Sequence, residues 1–174
     1  MILPEDRFIA LFDTLPSIIN DGNEYKPQYD FGTIEDLNRF LNQKRKEVAL
    51  IGGNIYPLIW LETPIKKTGT DKRVTFKPVI VLGTLTNSTI SNRERLEVTF
   101  KPVLIPLLEN VLKSLKQSGF TTIVKKKFLH EYDRTDFFNY VTDEEHEATD
   151  IWDAMKIELE IEMTDNCQQK NINY

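Results

Sequence analysis

Acidic residues near the end of the chain form the pattern that could most directly perform chemistry. Asp150 and Asp153 precede a segment in which Glu158, Glu160 and Glu162 recur at every second position. Carboxylates that converge on one point can bind the divalent cations of metal-dependent nucleases. In a strand, however, such a spacing places them along one face, where carboxylates usually remain in water. No lysine motif accompanies them, so we predict a solvated strand face.

Other residue types that could support catalysis or metal binding are scarce. The chain has one cysteine, Cys167, and two histidines, His130 and His146. A single cysteine excludes an internal disulfide and a multi-cysteine metal site, and this one lies in a polar tail. His146 lies in the sequence DEEHE, which favours a solvated acidic cluster over a cation site. Gly52-Gly53 lacks the Lys-Ser/Thr pair of a phosphate-binding loop. We predict no enzyme activity, no cofactor and no metal.

Length and composition are those of a globular protein. The 174 residues are 40% hydrophobic and 28% charged, with a net charge of −5, so a broad basic face for DNA is not expected. No apolar run approaches the roughly 18 residues of a membrane span, and the first residues lack the basic region of a signal peptide. We predict one domain over residues 1–174. Its parts are an N-terminal helix and connector (1–33), a core (34–124 and 150–166), an insertion or loop (125–149) and a polar tail (167–174).

An amphipathic helix is expected at the centre of the fold. Its apolar residues recur at helical spacing: Leu104, Leu107, Leu108, Val111, Leu112 and Leu115. Proline is tolerated only in the first helical turn, so Pro102 and Pro106 predict a start near residues 103–105. Residues 87–95 are then a polar loop.

The remaining elements are predicted from local patterns. Helices are expected from Pro4 and after Thr33, which forms a capping box with Asp36. The other predicted elements are a connector (20–32), strands at 56–62 and 73–86 around a hairpin loop (66–72), a short strand (120–124) and a final strand (151–164). Together they predict an α+β fold in which a mainly antiparallel sheet with a long β-hairpin packs against the central helix, with N-terminal helices.

Two residues in the second strand indicate irregular geometry. Pro78 lacks an N–H donor, which predicts an edge strand or a bulge, and Gly83 predicts a bend or a close approach of another group. Trp60 and Trp152 are large enough to be either core residues or interface anchors.

The order of these elements resembles that of the tail-terminator, tail-completion and neck-ring proteins of tailed bacteriophages, in a style similar to phages of Bacteroides-type hosts. The resemblance extends over residues 34–167. It rests on segments 56–63 (YPLIWLET), 74–86, 92–107 (NRERLEVTFKPVLIPL) and 151–163 (IWDAMKIELEIEM).

The resemblance implies a structural virion protein that forms a ring of six or twelve copies at the head-tail junction or in the tail. Its implied partners are portal, adaptor or tail-tube proteins, and double-stranded DNA would pass without sequence-specific binding. The protein would assemble in the host cytoplasm and remain in the virion, away from membranes. Edges of the projecting hairpin could pair between subunits. An acidic lumen of Glu158, Glu160 and Glu162 would not retain DNA. Interface candidates are Trp60, Pro78, Gly83, Phe137, Phe138 and Trp152.

Two other functions are compatible with the sequence. The first is a small monomeric or dimeric adaptor that holds a partner protein through the aromatic residues of segment 128–140. The second is the metal-dependent nuclease, which would need Asp153 or Glu158 for cleavage of DNA.

Overall fold

The computed structural model describes residues 4–70, 73–87, 89–118, 122–131 and 152–164. The elements, in chain order, are α1 (Pro4–Phe12), β1 (Ile18–Asn20), β2 (Asn23–Tyr25), β3 (Gln28–Gly32), α2 (Ile34–Ile51), β4 (Leu58–Thr70), β5 (Arg73–Leu85), α3 (Asn92–Arg95), a π-helical segment (Leu96–Leu104), α4 (Ile105–Gln117), β6 (Thr122–Glu131) and β7 (Trp152–Thr164). Because α3, the π-helical segment and α4 are continuous, we call them together the long helix.

The main sheet has five strands in the order β3-β4-β5-β7-β6. β3 pairs with β4 in parallel, and α2 connects these two strands. All other neighbours in the sheet are antiparallel. The α+β class, the mainly antiparallel sheet, the long hairpin β4–β5 and the N-terminal helices are therefore confirmed.

One face of the sheet, called the inner face, packs against the long helix and α1. Leu107, Val111 and Leu115 of α4 are completely buried, as are inward residues of the strands such as Ile80 and Ile157. Phe8 and Phe12 of α1 join the same cluster. The predicted apolar stripe of the central helix is thus confirmed as the main contact with the sheet.

The opposite, outer face is covered by α2 over part of its length. The second core contains Leu37 and Leu41 of α2, which pack on Leu58, Trp60 and Trp152. α2 begins with the predicted capping box. The Thr33 hydroxyl accepts from the Asp36 N–H at 3.3 Å, and Asp36 Oδ2 accepts from the Thr33 N–H at 2.9 Å.

The long helix begins earlier than the prolines predicted. A second capping box, made by Ser91 and Glu94, starts it at Asn92, so the predicted start near 103–105 is wrong, as is the end of the predicted loop 87–95, where residues 92–95 are helical. Pro102 lies inside the helix, where its missing N–H and its ring oppose α-helical geometry. We attribute the π-helical turns to this proline, because the wider turns allow the helix to continue past it.

Two alternatives were predicted for each of Pro78 and Gly83, and the structure selects one of them in each case. β5 lies between β4 and β7, so Pro78 does not mark an edge strand; it marks a bulge. Gly83 marks a close approach, since a Cβ at this position would lie 2.8 Å from Cε3 of Trp152.

Several observed strands extend beyond their predicted boundaries, because hydrogen bonding to a neighbouring strand continues past the residues with a clear local pattern. β4 runs to Thr70 and β5 starts at Arg73, so most of the predicted loop 66–72 is strand. The predicted connector 20–32 contains the last residue of β1 and all of β2 and β3. Residues 122–124 of the predicted short strand belong to β6, which includes residues 125–131 of the predicted insertion.

The contact between Gly83 and Trp152 gives a first prediction. Gly83→Ala should lower the free energy of unfolding by about 1–3 kcal/mol, because the added methyl group overpacks a completely buried ring. Urea unfolding followed by circular dichroism measures the change. Trp152→Leu makes room, so adding Gly83→Ala to that variant should cost much less; equal costs in both backgrounds would contradict the contact.

The capping box at Ser91 gives a pH-dependent prediction. Hydrogen bonds from the Ser91 backbone N–H, and then from its hydroxyl, lower the pKa of Glu94 from its ordinary value of 4.5. The stabilisation is therefore complete above pH 4.5 and is lost as the pH falls through the lower pKa of the folded state. Glu94→Gln should reduce the melting temperature at neutral pH, and the difference from the wild type should shrink in acid. Glu109→Gln, on the exposed side of α4, is the control and should show no such trend.

Candidate assembly surface on the outer face of the sheet

A bulge divides the β4–β5 hairpin into two halves. The register pairs Glu62 with Val79 and then Lys66 with Lys77, so three residues of β4 lie opposite Pro78 alone. Bulges of this kind bend a strand and interrupt its hydrogen bonds. The half of the hairpin beyond Glu62, called the distal half, therefore departs from the regular sheet at this point.

The ladder on the other side of β5 is interrupted at the same level. Phe76 pairs with Ile161 and Val79 with Glu158, and no paired residues lie between these two pairs. Pro78 lies in this gap and has no N–H to donate. The interruptions on both sides leave a weakly paired region in the middle of the sheet.

An open depression of about 820 Å³ lies on the outer face at this level. We call it the bulge depression. It is lined by Glu62, Thr63, Pro64, Lys66, Lys77, Pro78, Val79, Glu158, Leu159 and Glu160. Lys66, Thr68 and Lys77 are exposed, so none of the described elements covers the outer face of the distal half.

The charges around the bulge depression are mixed. Lys156 Nζ lies 3.3 Å from both carboxylate oxygens of Glu62, and Lys77 Nζ lies 3.8 Å from Glu160 Oε2. These groups are partly exposed, so each pair contributes little to stability, and their main effect is to fix the charge pattern of the surface.

This pattern changes the interpretation of the acidic stripe. Glu158, Glu160 and Glu162 lie on the outer face as predicted, but all three side chains are half-buried. The backbone register places Lys127 opposite Glu158 and Lys125 opposite Glu160. Carboxylates therefore alternate with basic positions across the strands, so the acidic stripe of β7 lies beside positively charged residues of the neighbouring strands. An orientation of the three glutamates toward a lumen stays a prediction.

A buried ion pair joins the long helix to β7 on the inner face. Arg95 and Asp153 are 1% and 0% exposed, and Arg95 Nη1 lies 3.6 Å from Asp153 Oδ1. The Thr99 hydroxyl lies 2.5 Å from Asp153 Oδ2, and Arg95 Nη2 donates to the carbonyl of Asn87 at 3.2 Å. The start of the π-helical segment is thus fixed to the first residues of β7.

This position separates the carboxylates that a nuclease would need together. Asp153 lies in the inner core, whereas Glu158 lines the bulge depression on the outer face. One metal ion cannot bind both groups. Within the described ranges, no cluster of three or more His, Cys, Asp or Glu side chains could hold a metal ion. Asp150, His146 and Cys167 lie outside the described residues.

The interface candidates have different environments. Trp60 and Trp152 are core residues: they are 1% and 0% exposed, and Trp152 Nε1 donates to the Tyr56 hydroxyl at 2.7 Å. Gly83 is buried against Trp152. Only Pro78 lines the bulge depression. Phe137 and Phe138 lie outside the described residues, as does most of the aromatic segment 128–140.

Two features of the surface were not identified from the sequence. The first is Pro64, which lines the bulge depression opposite Pro78. Its position there depends on the strand register, which no local pattern gives. Leu50 and Ile51 at the end of α2 are each 84% exposed. The sequence does indicate that α2 extends this far, since Ile51 continues the apolar spacing of Leu37 and Leu41 along the helix.

Comparison with known proteins gives no match to a family model, to a curated protein or to a solved structure. In the part of the chain that the structure describes, no helix combines the length and the apolar character needed to cross a bilayer.

The buried ion pair gives a stability prediction. Asp153→Ala should reduce the free energy of unfolding by about 3–5 kcal/mol, because it leaves the Arg95 charge buried without its carboxylate. Urea unfolding provides the measurement. The control is Glu97→Ala, which removes an exposed ion pair with Lys101 on the same helix and should cost under about 1 kcal/mol. An equal decrease in the free energy of unfolding in the two variants would contradict the conclusion that Arg95 depends on Asp153 as its buried partner.

Proposed function

We propose that this chain is a structural protein that assembles into a ring at the head-tail junction or in the tail of a tailed phage. The observation that supports the proposal is the outer face of the distal half, which no element among the described residues covers, with the bulge depression at its base. An antiparallel sheet can keep one face in water, and such a face is also available for contact with a partner. The sequence resemblance supplies the class of partner.

The geometry favours a contact made by side chains. β3 pairs with β4 only from Leu58 to Glu62. In the described structure, the side of β4 away from β5 is therefore unpaired from residue 63 to 70. Lys66 and Lys67 lie on this edge, and lysines on an edge strand oppose its pairing with another strand. A neighbouring subunit is therefore better accommodated on the outer face than along the edge.

Ring closure follows from a contact between two different surfaces of the same chain. Such a head-to-tail contact repeats until the rotation closes, whereas contact of one surface with itself stops at a dimer. Six or twelve copies would surround the channel through which double-stranded DNA passes. Portal, adaptor or tail-tube proteins would bind above and below the ring.

The mass of the purified full chain in solution tests this proposal. Light scattering and native mass spectrometry over a range of concentrations should detect six or twelve copies. The chain should also enter particles assembled from portal and tail proteins.

A chain that remains monomeric or dimeric alone, and that also fails to enter such particles, would contradict the ring. In that case the adaptor function becomes the better explanation.

A further inference from the structure

The distal half of the β4–β5 hairpin has a charge opposite in sign to that of the rest of the chain. Residues 66–77 read KKTGTDKRVTFK, with five basic residues and one acidic residue, so this basic segment has a net charge of +4. Because the whole chain has a net charge of −5, the remaining residues together carry −9. A concentrated patch of one sign attracts partners of the opposite sign, which indicates an anionic partner for the basic segment.

Three lysines of the basic segment are accessible to such a partner. The structure exposes Lys66, Lys67 and Lys77 to solvent. Among the described residues, Lys77 is the only one of the three with a carboxylate within 4 Å, at 3.8 Å from Glu160 Oε2. The Lys77 side chain remains 52% exposed, so this ion pair is weak. Lys67 Nζ lies 6.0 Å from the centroid of the Phe76 ring.

Two of these lysines lie directly opposite each other in the sheet. The register of β4 and β5 pairs Lys66 with Lys77. Like charges at directly opposite positions of neighbouring strands are destabilising. Glu160 offsets part of this repulsion from one side only. A ligand with several negative charges would contact both lysines and remove the repulsion.

Protection of the open edge of β4 accounts for only part of the pattern. Lysines on an edge strand prevent its pairing with another strand, which is sufficient reason for Lys66 and Lys67. Arg73 and Lys77, however, belong to β5, which lies between β4 and β7. An interior strand has no open edge to protect, so these two basic residues need another explanation.

We propose that the basic segment contacts the phosphates of double-stranded DNA. This contact rests on the proposed function, which brings DNA into the channel of the ring. β7 pairs with β5 as far as Arg73, so the hairpin is not the free two-stranded ribbon that enters a major groove. The contacts are therefore with the phosphate backbone, which carries no sequence information.

The charge of the remaining chain keeps this contact weak. Its net charge of −9 repels DNA, so only the few phosphates nearest the basic segment are neutralised. Such a contact guides a duplex without holding it at one sequence. It lies at the open edge and the tip of the hairpin, and a neighbouring subunit on the outer face over β7 and β6 would leave it open.

Binding of the purified full chain to a fluorescently labelled DNA duplex tests the contact. Fluorescence anisotropy over a range of salt concentrations gives the affinity and its salt dependence. Lys66→Gln/Lys77→Gln should weaken binding at low salt at least about fivefold and make the slope of log affinity against log salt shallower by about two, because two phosphate contacts are lost.

The matched control is Lys113→Gln/Lys116→Gln, which removes two exposed lysines from α4 and has the same net charge. Its affinity for the duplex should stay within about twofold of the wild type. Equal weakening in the two double variants would show that only the net charge matters, and it would overturn the proposal.

Thermal unfolding distinguishes a contact residue from a structural one. Lys66→Gln removes the repulsion across the strands, so the melting temperature should stay unchanged or rise. A clearly lower melting temperature would mean that Lys66 stabilises the fold, which contradicts its assignment to DNA.

The outcomes separate this contact from the ring. A wild-type chain that fails to bind the duplex even at low salt overturns the contact, while the mass in solution and entry into assembled particles still decide the function. DNA binding that depends on Lys66 and Lys77, in a chain that forms no ring and enters no particle, would support the contact and contradict the ring. If the wild-type chain ignores DNA and the lysine variant loses self-association, the anionic partner is a protein surface and the proposal is wrong.

Discussion

Unequal coverage of the two faces of the sheet is the constraint on which the rest of the structure depends. The long helix and α1 bury the inner face along its whole length, from Val74 at the distal end to Leu82. The outer face depends on α2, which is tied to β3, a strand of five residues. Since α2 starts where β3 ends, beside Glu62, it covers the outer face from this level toward Leu58 and Trp152 and lies away from the distal half. Among the described residues, the open outer face of the distal half is the consequence of this connection.

Buried polar residues determine how the long helix meets the sheet. An apolar stripe alone would allow the helix to slide, because aliphatic contacts are not directional. The Arg95–Asp153 pair and the Thr99 hydroxyl connect one turn of the helix to one position of β7. Such a pair adds little net stability, but misplacing it would leave a buried charge unpaired. We infer that it fixes the register of the long helix, and Pro102 sets the geometry of the turns that follow.

The sequence predicts the elements whose signals are local. The stripe of α4, the capping box at Thr33 and the alternation of β7 were correct because each follows from spacing within one segment. The predicted start of the long helix is wrong although Ser91 and Glu94 carry a capping signal, because the π-helical turns allow the helix to continue past Pro102. The pairing of Asp153 with Arg95, and of Glu160 with Lys77, depends on residues distant in sequence. No single segment contains that information, so the bulge depression could not be predicted.

The positions of the lysines restrict how copies of this chain could meet. Lys66 and Lys67 occupy the edge of β4 that no described strand pairs with. Residues 125–127, all lysines, lie in β6, whose only partner among the described strands is β7. Joining these two edges between subunits would bring like charges together over the length of the strands, which opposes the edge pairing that the hairpin alone suggests. The outer face carries both signs of charge, so it can accept a basic element without this cost. A subunit contact made through the outer face would therefore avoid the like-charge repulsion that edge pairing would create.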